Sequence, residues 1–321
     1  MKIVFIIDPI APLDPTHDST IAMMEAAQKR NHEVWITTME QLSIKAGQAW
    51  AILTPVTLVP VTLNEGHWVA VEDWYRLGEP ELVALNTTDA VLMRTDPPVT
   101  MPYLYTTQIL DLIDPATTLV LNRPRSLQAA NEKLYALNFP TVIPETIVSS
   151  VKAVIKDFVA EQGKAVLKPL AGKAGEGILF LAAGDRNLNS LIEISTRWGQ
   201  IPVMVQQYLP AAAEGDKRII MLDGEPIGAV NRIPTGSDFR GNMAVGGRVA
   251  SVPLTERDRL ICDTVSPLLK QDGLYFVGLD VIGGYLTEVN VTSPTGIREI
   301  DRLDGKNLGN QVIEWLEQQK R

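Results

Sequence analysis

The sequence predicts an α/β protein in three pieces: an amino-terminal open sheet, a small central domain and a carboxyl-terminal sheet. Three stretches carry that prediction. Residues 2–38 alternate strand, helix and strand, a βαβ opening. After Asn122-Arg123-Pro124, which reads as a linker, the pattern turns to strands joined by Gly-rich turns. Residues 276–298, FVGLDVIGGYLTEVNVTSPTGIR, read as a hairpin, because two β-rich runs flank Gly283-Gly284, a pair that suits a primed two-residue turn.

Residues 2–7 read as a buried parallel strand, since five apolar residues follow Lys2 without a break, and end in Asp8-Pro9. A helix is expected over 18–30, with Thr16 or Asp18 as its cap, and a second strand over 33–38. The connection DPIAPLDPTHD has no glycine fingerprint, so this is not a dinucleotide site. Residues 49–71 read as an extended excursion turning at Asn64-Glu65-Gly66, and strands follow at 90–94 and 118–121. Arg94 closes the first of these, at the carboxyl end where open α/β sheets bind ligands, as an ion pair of the sheet edge or a substrate contact. Beyond the linker, helices are expected over 126–137, 151–161, 188–198, 255–270 and 308–320. Strands are expected over 165–169, 178–182 and 203–209, and a hairpin over 218–232 around Asp223-Gly224. Residues 234–247 (PTGSDFRGNMAVGG) are rich in Gly and Pro and poor in apolar residues, which predicts a mobile loop. The expected division is 1–124, 125–209 and 210–321.

Composition bounds the function. A net charge of −9 argues against general nucleic-acid binding, which wants a basic face. Cys262 is the only cysteine, so no internal disulfide forms and a reducing, cytoplasmic compartment is expected. The apolar run after Met1-Lys2 is too short for a signal peptide, and no run reaches the ~20 apolar residues that span a bilayer. Neither nucleic acid nor membrane is expected as a partner.

The candidate chemistry lies on the hairpin and upstream of it. Alternation along a strand turns Glu288 and Asn290 the same way, and Asp280 lies on the partner strand. Oxygen ligands without His or Cys suit a hard cation such as Mg²⁺ held against phosphate; a solvated hairpin face is the plainer alternative. Lys168 sits among apolar neighbours in AVLKPL, where an ammonium must snorkel or meet an anion. The adjacent AGKAGEG turn could cradle a phosphate through its backbone N–H groups, yet it is not a P-loop, since Gly172-Lys173 precedes Ala174. Gln206 to Leu209 end a strand with polar groups and a ring, suited to an adenine slot. Asp216-Lys217-Arg218 places a cation beside a hairpin, useful against charge developing on a phosphate.

Lysine on a helix, lysine on a strand, Gly-rich turn, polar strand end and D…E-x-N, in that order, resemble the ATP-grasp superfamily. The segments DPI, MRTDPP, NEKLYAL, LKPLAGKAGEG, DKR, RIPTGSDFRGN, GGR, FVGLD and LTEVNVTSPTGIREI narrow this to a resemblance to the bacterial-type glutathione synthetase family over nearly the whole chain. The Gly-rich turn departs from the family's usual DGMGG-like form, with Lys173 and Glu176 added.

The resemblance implies an ATP-grasp fold behind an amino-terminal open α/β domain, and a ligase joining γ-glutamylcysteine to glycine with ATP. Lys133, Lys168, Gly172, Gly175, Gly177, Gln206, Gln207, Tyr208, Leu209 and Asp216 would bind ATP. Asp280, Glu288 and Asn290 would hold Mg²⁺, or Mn²⁺ in its place. Arg94, Arg218, Asn242, Asn290 and Ser293 would bind the dipeptide. Arg218 and Arg240 would act on the reacting groups, and 234–247 would cover them as a lid. A homo-oligomer, a tetramer by resemblance, is implied too. The rivals are another ATP-grasp carboxylate–amine ligase, of the D-alanine–D-alanine or peptide-modifying type, and a nucleotide-binding module without turnover.

Overall fold

Four parallel strands, Leu119–Leu121, Ala90–Met93, Lys2–Ile6 and Glu33–Thr37, lie side by side in that order at the heart of the amino-terminal sheet. The structure, a computed structural model, describes residues 1–172, 175–235 and 248–320. The long strand Gln48–Leu58 extends this sheet in the antiparallel sense and also pairs with Leu42–Lys45, Tyr75–Leu77 and Glu81–Ala84. Every residue of Ala90–Met93 is buried, as its unbroken apolar sequence requires. Helix Ser19–Lys29 crosses from the first strand to the second, and Asp18 caps it by accepting Ile21 N–H at 2.8 Å.

The central sheet is antiparallel, ordered Thr146–Ser149, Val203–Gln207, Lys164–Pro169 and Leu179–Ala182. Helices Lys152–Gln162 and Leu188–Ser195 close its own small core, with Ile155, Val159 and Ile192 against Leu167 and Val205.

The third sheet runs Arg248–Ser251, Glu225–Ile233, Asp216–Leu222, Phe276–Ile282 and Tyr285–Asn290, all antiparallel. One face buries Ile219, Met221 and Val277 against helix Glu256–Asp272, whose Thr255–Asp258 capping box sets its start. The other face carries Ile220 and Val230 and packs on Ile297–Asp304, Leu308–Gln319 and the amino-terminal helix. Gly309 approaches so near that a Cβ there would stand 2.7 Å from Ala22 O, which seats the last helix on the first.

Several expectations change in detail. The helix expected over 126–137 stops at Ala129, and a 3₁₀ turn Leu134–Asn138 follows, so Lys133 caps a turn rather than riding on a helix. The break lets Asn131 and Lys133 reach sideways to the Gly-rich turn (see below). Helices Met101–Leu110 and Ile297–Asp304 were not expected; both follow proline-containing loops. All but the first two residues of the expected loop 234–247, with Arg240 and Asn242, and Lys173 of the Gly-rich turn lie outside the described residues.

Candidate active site

Both glycines of the Gly283-Gly284 turn take positive φ, +56° and +78°, the primed geometry that L side chains resist. A simple hairpin closed by that turn would set Asp280 opposite Thr287. A β-bulge between Asp280 and Val281 shifts the pairing by one, so Asp280 stands opposite Glu288 and Gly278 opposite Asn290. Cross-strand partners share a face, and the three oxygen-bearing side chains therefore meet on one wall. A second bulge, between Ile220 and Met221, does the same for the neighbouring hairpin. It places Arg232, rather than Asn231, opposite Asp216.

These side chains line a cavity of about 360 Å³ together with Lys133, Lys168, Gly172, Gly175, Gln206–Leu209 and Ser293. Its size fits a nucleotide-class ligand. Arg218 grips Asp280 twice, Nε to Oδ1 at 2.5 Å and Nη2 to Oδ2 at 3.1 Å, while Arg232 Nη2 reaches Asp280 Oδ1 at 3.0 Å and Asp216 Oδ2 at 2.6 Å. Burial alone would raise the Asp280 carboxyl, but the two guanidiniums hold it well below the usual carboxylate range. Burial pushes Asp216 up to about 6; Arg232 opposes that rise and the Asp280 charge adds to it.

Lys133 Nζ donates to Gly172 O at 2.9 Å and to Glu288 Oε1 at 3.0 Å, joining the Gly-rich turn to the hairpin. Asn131 Nδ2 holds Leu170 O at 2.9 Å beside it. Lys168 Nζ donates to Gln206 Oε1 at 2.9 Å, and burial lowers its pKa. A Cβ at Gly172 would stand 2.9 Å from Glu176 O, and one at Gly177 would stand 2.8 Å from Pro169 Cγ, so the turn needs both glycines for space. Gly177 packs on Pro169 and, unlike Gly172 and Gly175, does not line the cavity.

The substrate-side residues divide. Asn290 and Ser293 line the cavity, and Asn290 Nδ2 donates to Gly278 O at 3.1 Å, leaving Oδ1 as its acceptor. Arg94 does not line it. Its guanidinium is buried, donating to Thr20 Oγ1 at 3.0 Å and to Pro294 O at 2.9 Å, so it fastens the turn 292–296 to the amino-terminal sheet. Arg218 Nη1 holds Thr295 O of the same turn at 3.1 Å.

Two residues escaped the sequence reading. Glu132 Oε1 accepts Val291 N–H at 2.9 Å, Thr292 N–H at 3.0 Å and Thr292 Oγ1–H at 2.8 Å. Burial raises its pKa, and the Glu288 charge raises it further. Its neighbour Lys133 in the NEK triplet was a signal for it. Arg232 had no such signal, because only the bulge turns it to the cavity.

Among the described residues no three His, Cys, Asp or Glu side chains form a metal-holding group. Two carboxylates and one carboxamide are still a coherent donor set for Mg²⁺, provided phosphate oxygens complete the shell. Oxygen-only chemistry and the adjoining lysines fit that ion better than a softer metal.

Comparison with known proteins agrees with this layout. Residues 1–128 match the family model for the prokaryotic glutathione synthetase N-terminal domain, and 132–305 match that for the prokaryotic glutathione synthetase ATP-grasp domain. Curated proteins named glutathione synthetase are 66% identical in Thermosynechococcus vestitus (98% of this chain, 99% of that protein) and 62% identical in Synechococcus elongatus (99% and 98%). The fold is shared with the ATP-grasp ligase PsnB, solved with a minimal precursor (TM-score 0.65, 19% identity, 99% of each chain). It is shared as well with the D-cycloserine synthetase DcsG (TM-score 0.66, 14% identity, 99% of this chain and 100% of that one). The chain thus has the ATP-grasp fold and belongs to the prokaryotic glutathione synthetase family.

Proposed function

We propose that this protein joins γ-glutamylcysteine to glycine, consuming ATP and forming ADP, phosphate and glutathione. One observation carries the reading: Lys133, Lys168, Arg218 and Arg232 converge on a single cavity into which the last strand pair presents Asp280, Glu288 and Asn290. Such a site can gather the phosphates of ATP and a substrate carboxylate in one place. The likeness to proteins named glutathione synthetase, which runs over nearly the whole chain, supports the choice of substrates.

Lys133 and Lys168 would neutralise the phosphates, with Gln206 to Leu209 and Asp216 around the nucleoside. Mg²⁺, or Mn²⁺, held by Asp280, Glu288 and Asn290, would neutralise and orient the phosphate oxygens. A cysteinyl carboxylate oxygen attacks the γ-phosphorus, the bridging P–O bond to ADP breaks, and an acyl phosphate forms. The free amine of glycine then attacks the carbonyl carbon, the C–O bond to phosphate breaks, and the surplus amine proton passes to solvent. Arg218, on the cavity wall, would steady the charge that builds on the transferring group. Positioning and charge neutralisation suffice for this chemistry, so no Ser or Cys nucleophile is needed. Cys262 is buried in helix Glu256–Asp272, where burial pushes its thiol up to about 12, and it packs rather than reacts.

We divide the chain functionally at 1–124, 125–209 and 210–321, and expect a cytoplasmic homo-oligomer. The three large sheets support the division, the single buried cysteine supports the compartment, and the homo-oligomer rests on the family resemblance alone; no helix among the described residues is long and apolar enough to cross a membrane. ADP release measured with ATP, γ-glutamylcysteine and glycine, each omitted in turn, tests the reaction. Release only with the complete set is the expected result. Release with D-alanine or a peptide instead would favour another ATP-grasp ligase, and ATP binding without any ADP would leave a nucleotide-binding module.

A further inference from the structure

Asp96 and Pro97 are the only residues of the amino-terminal sheet region on the described cavity wall. They follow strand Ala90–Met93, at the carboxyl end of its sheet, and adjoin the turn 293–295 through the Arg94–Pro294 and Ser293–Arg94 hydrogen bonds. Six carboxylates line the cavity, and four of them are engaged: Glu132 by the turn's N–H groups, Asp216 and Asp280 by arginines, Glu288 by Lys133. Glu176 lies in the Gly-rich turn. Among the described residues the Asp96 carboxylate accepts no hydrogen bond and makes no ion pair; its charge acts through space on the buried Arg94 guanidinium. Its backbone N–H is anchored on Asp8 Oδ2 at 2.9 Å, which orients the residue without occupying its side chain. Arg94 sits behind it, with its own hydrogen bonds on Thr20 and Pro294.

A carboxylate on the wall of a binding cavity with no hydrogen-bond donor of its own suits a cationic group of the ligand. Phosphates and carboxylates are repelled by it, and the cation Mg²⁺ has its own proposed donors in Asp280, Glu288 and Asn290, which leaves the two ammonium groups of the proposed substrates. The glycine nitrogen must attack as a free amine, and a carboxylate partner would hold it protonated and unreactive. The α-ammonium of the γ-glutamyl residue takes no part in the reaction and stands about two residue lengths, roughly 7 Å, from the carboxylate that does. We propose that Asp96 binds this α-ammonium and thereby selects γ-glutamyl chains at the acyl-substrate end of the cavity. The assignment rests on the ligase reading above.

The test pairs a protein change with a ligand change. Asp96→Asn should raise KM for γ-glutamylcysteine at least about tenfold, with KM for ATP and for glycine within about twofold of wild type. Glutarylcysteine keeps the distal carboxylate and lacks the amine, so wild type and Asp96→Asn should use it equally. Asp96→Glu, which keeps the charge, should recover much of the affinity, and melting temperatures should match throughout because the side chain is exposed. An unchanged KM for the dipeptide, a raised KM for glycine instead, or the same loss with glutarylcysteine overturns the assignment. A wild-type protein inactive with dipeptide and glycine overturns the ligase reading and this one with it; an active wild type beside an unaltered variant overturns this one alone.

Discussion

Arg218 and Asp280 face each other across adjacent antiparallel strands, and the guanidinium holds both oxygens of the carboxylate. With Arg232 on the same carboxylate, the candidate metal ligand is also the anchor of two buried cations. Site and scaffold are thus one network here, and a substitution in it reports on both.

Asp280→Asn should therefore abolish ADP release and also cost roughly 3–5 kcal/mol of stability, since two buried guanidiniums lose their shared counter-charge. Glu288→Gln should abolish ADP release with a smaller loss, because Glu288 is partly exposed and Lys133 keeps its bond to Gly172 O. Melting temperature and ADP release for both variants check this. Near-normal turnover in both would remove these carboxylates from the proposed metal site.

Glu132→Ala should raise KM for γ-glutamylcysteine. The buried N–H groups of Val291 and Thr292 lose their acceptor, and the strand end bearing Asn290 and Ser293 is no longer held. The stability cost should be about 1–3 kcal/mol. Glu132→Gln retains an acceptor oxygen and should fall between alanine and wild type. Equal dipeptide KM in all three proteins would leave Glu132 with a purely structural part.

The order of chemistry is open to isotope labelling. γ-Glutamylcysteine carrying ¹⁸O in its cysteinyl carboxylate should pass one labelled oxygen to inorganic phosphate as the product forms. Unlabelled phosphate would mean that the carboxylate was never phosphorylated. In the same assay Arg218→Ala should lower kcat, by about 3–4 kcal/mol of transition-state stabilisation, more than it weakens ATP binding.

Asp301 offers a stability test away from the cavity. Burial pushes its carboxyl up to about 6 although it accepts the Leu308 N–H at 2.8 Å. A folded-state pKa above the unfolded value means that the native state binds the proton more tightly. Asp301 therefore detracts from stability as pH rises from about 4 to 6. Asp301→Asn keeps an acceptor for Leu308 and should raise stability at pH 7 by about 1–2 kcal/mol, after allowing for solvent screening of a partly exposed group. The gain should vanish below about pH 4. Thermal melts at both pH values decide it, and an equal gain at low pH would assign the effect to packing.

Much of this protein was legible in its sequence. Residues 3–6 and 90–93 are apolar throughout because both faces of a parallel strand are buried, and Asp18, Thr255 and Gly283-Gly284 mark element ends by local chemistry. Lys168, Gln206, Asp280, Glu288 and Asn290, named from residue type, and Lys133, named through the family resemblance, all reach one cavity. What tertiary structure decided is which face each strand turns inward. Side chains alternate with a period of two, so a shift of one residue reverses the whole set, and no local pattern near Ile220 or Asp280 announces the bulge that makes the shift. Those two bulges bring Glu288 and Asn290 round to Asp280 and turn Arg232 in beside Arg218. Packing likewise withdrew Arg94 from the cavity, because Thr20 takes one of its hydrogen bonds and the turn 292–296, two hundred residues away in the chain, takes the other. Pairing register and long-range hydrogen bonding are free energies of the folded chain as a whole, and only the assembled sheets set them.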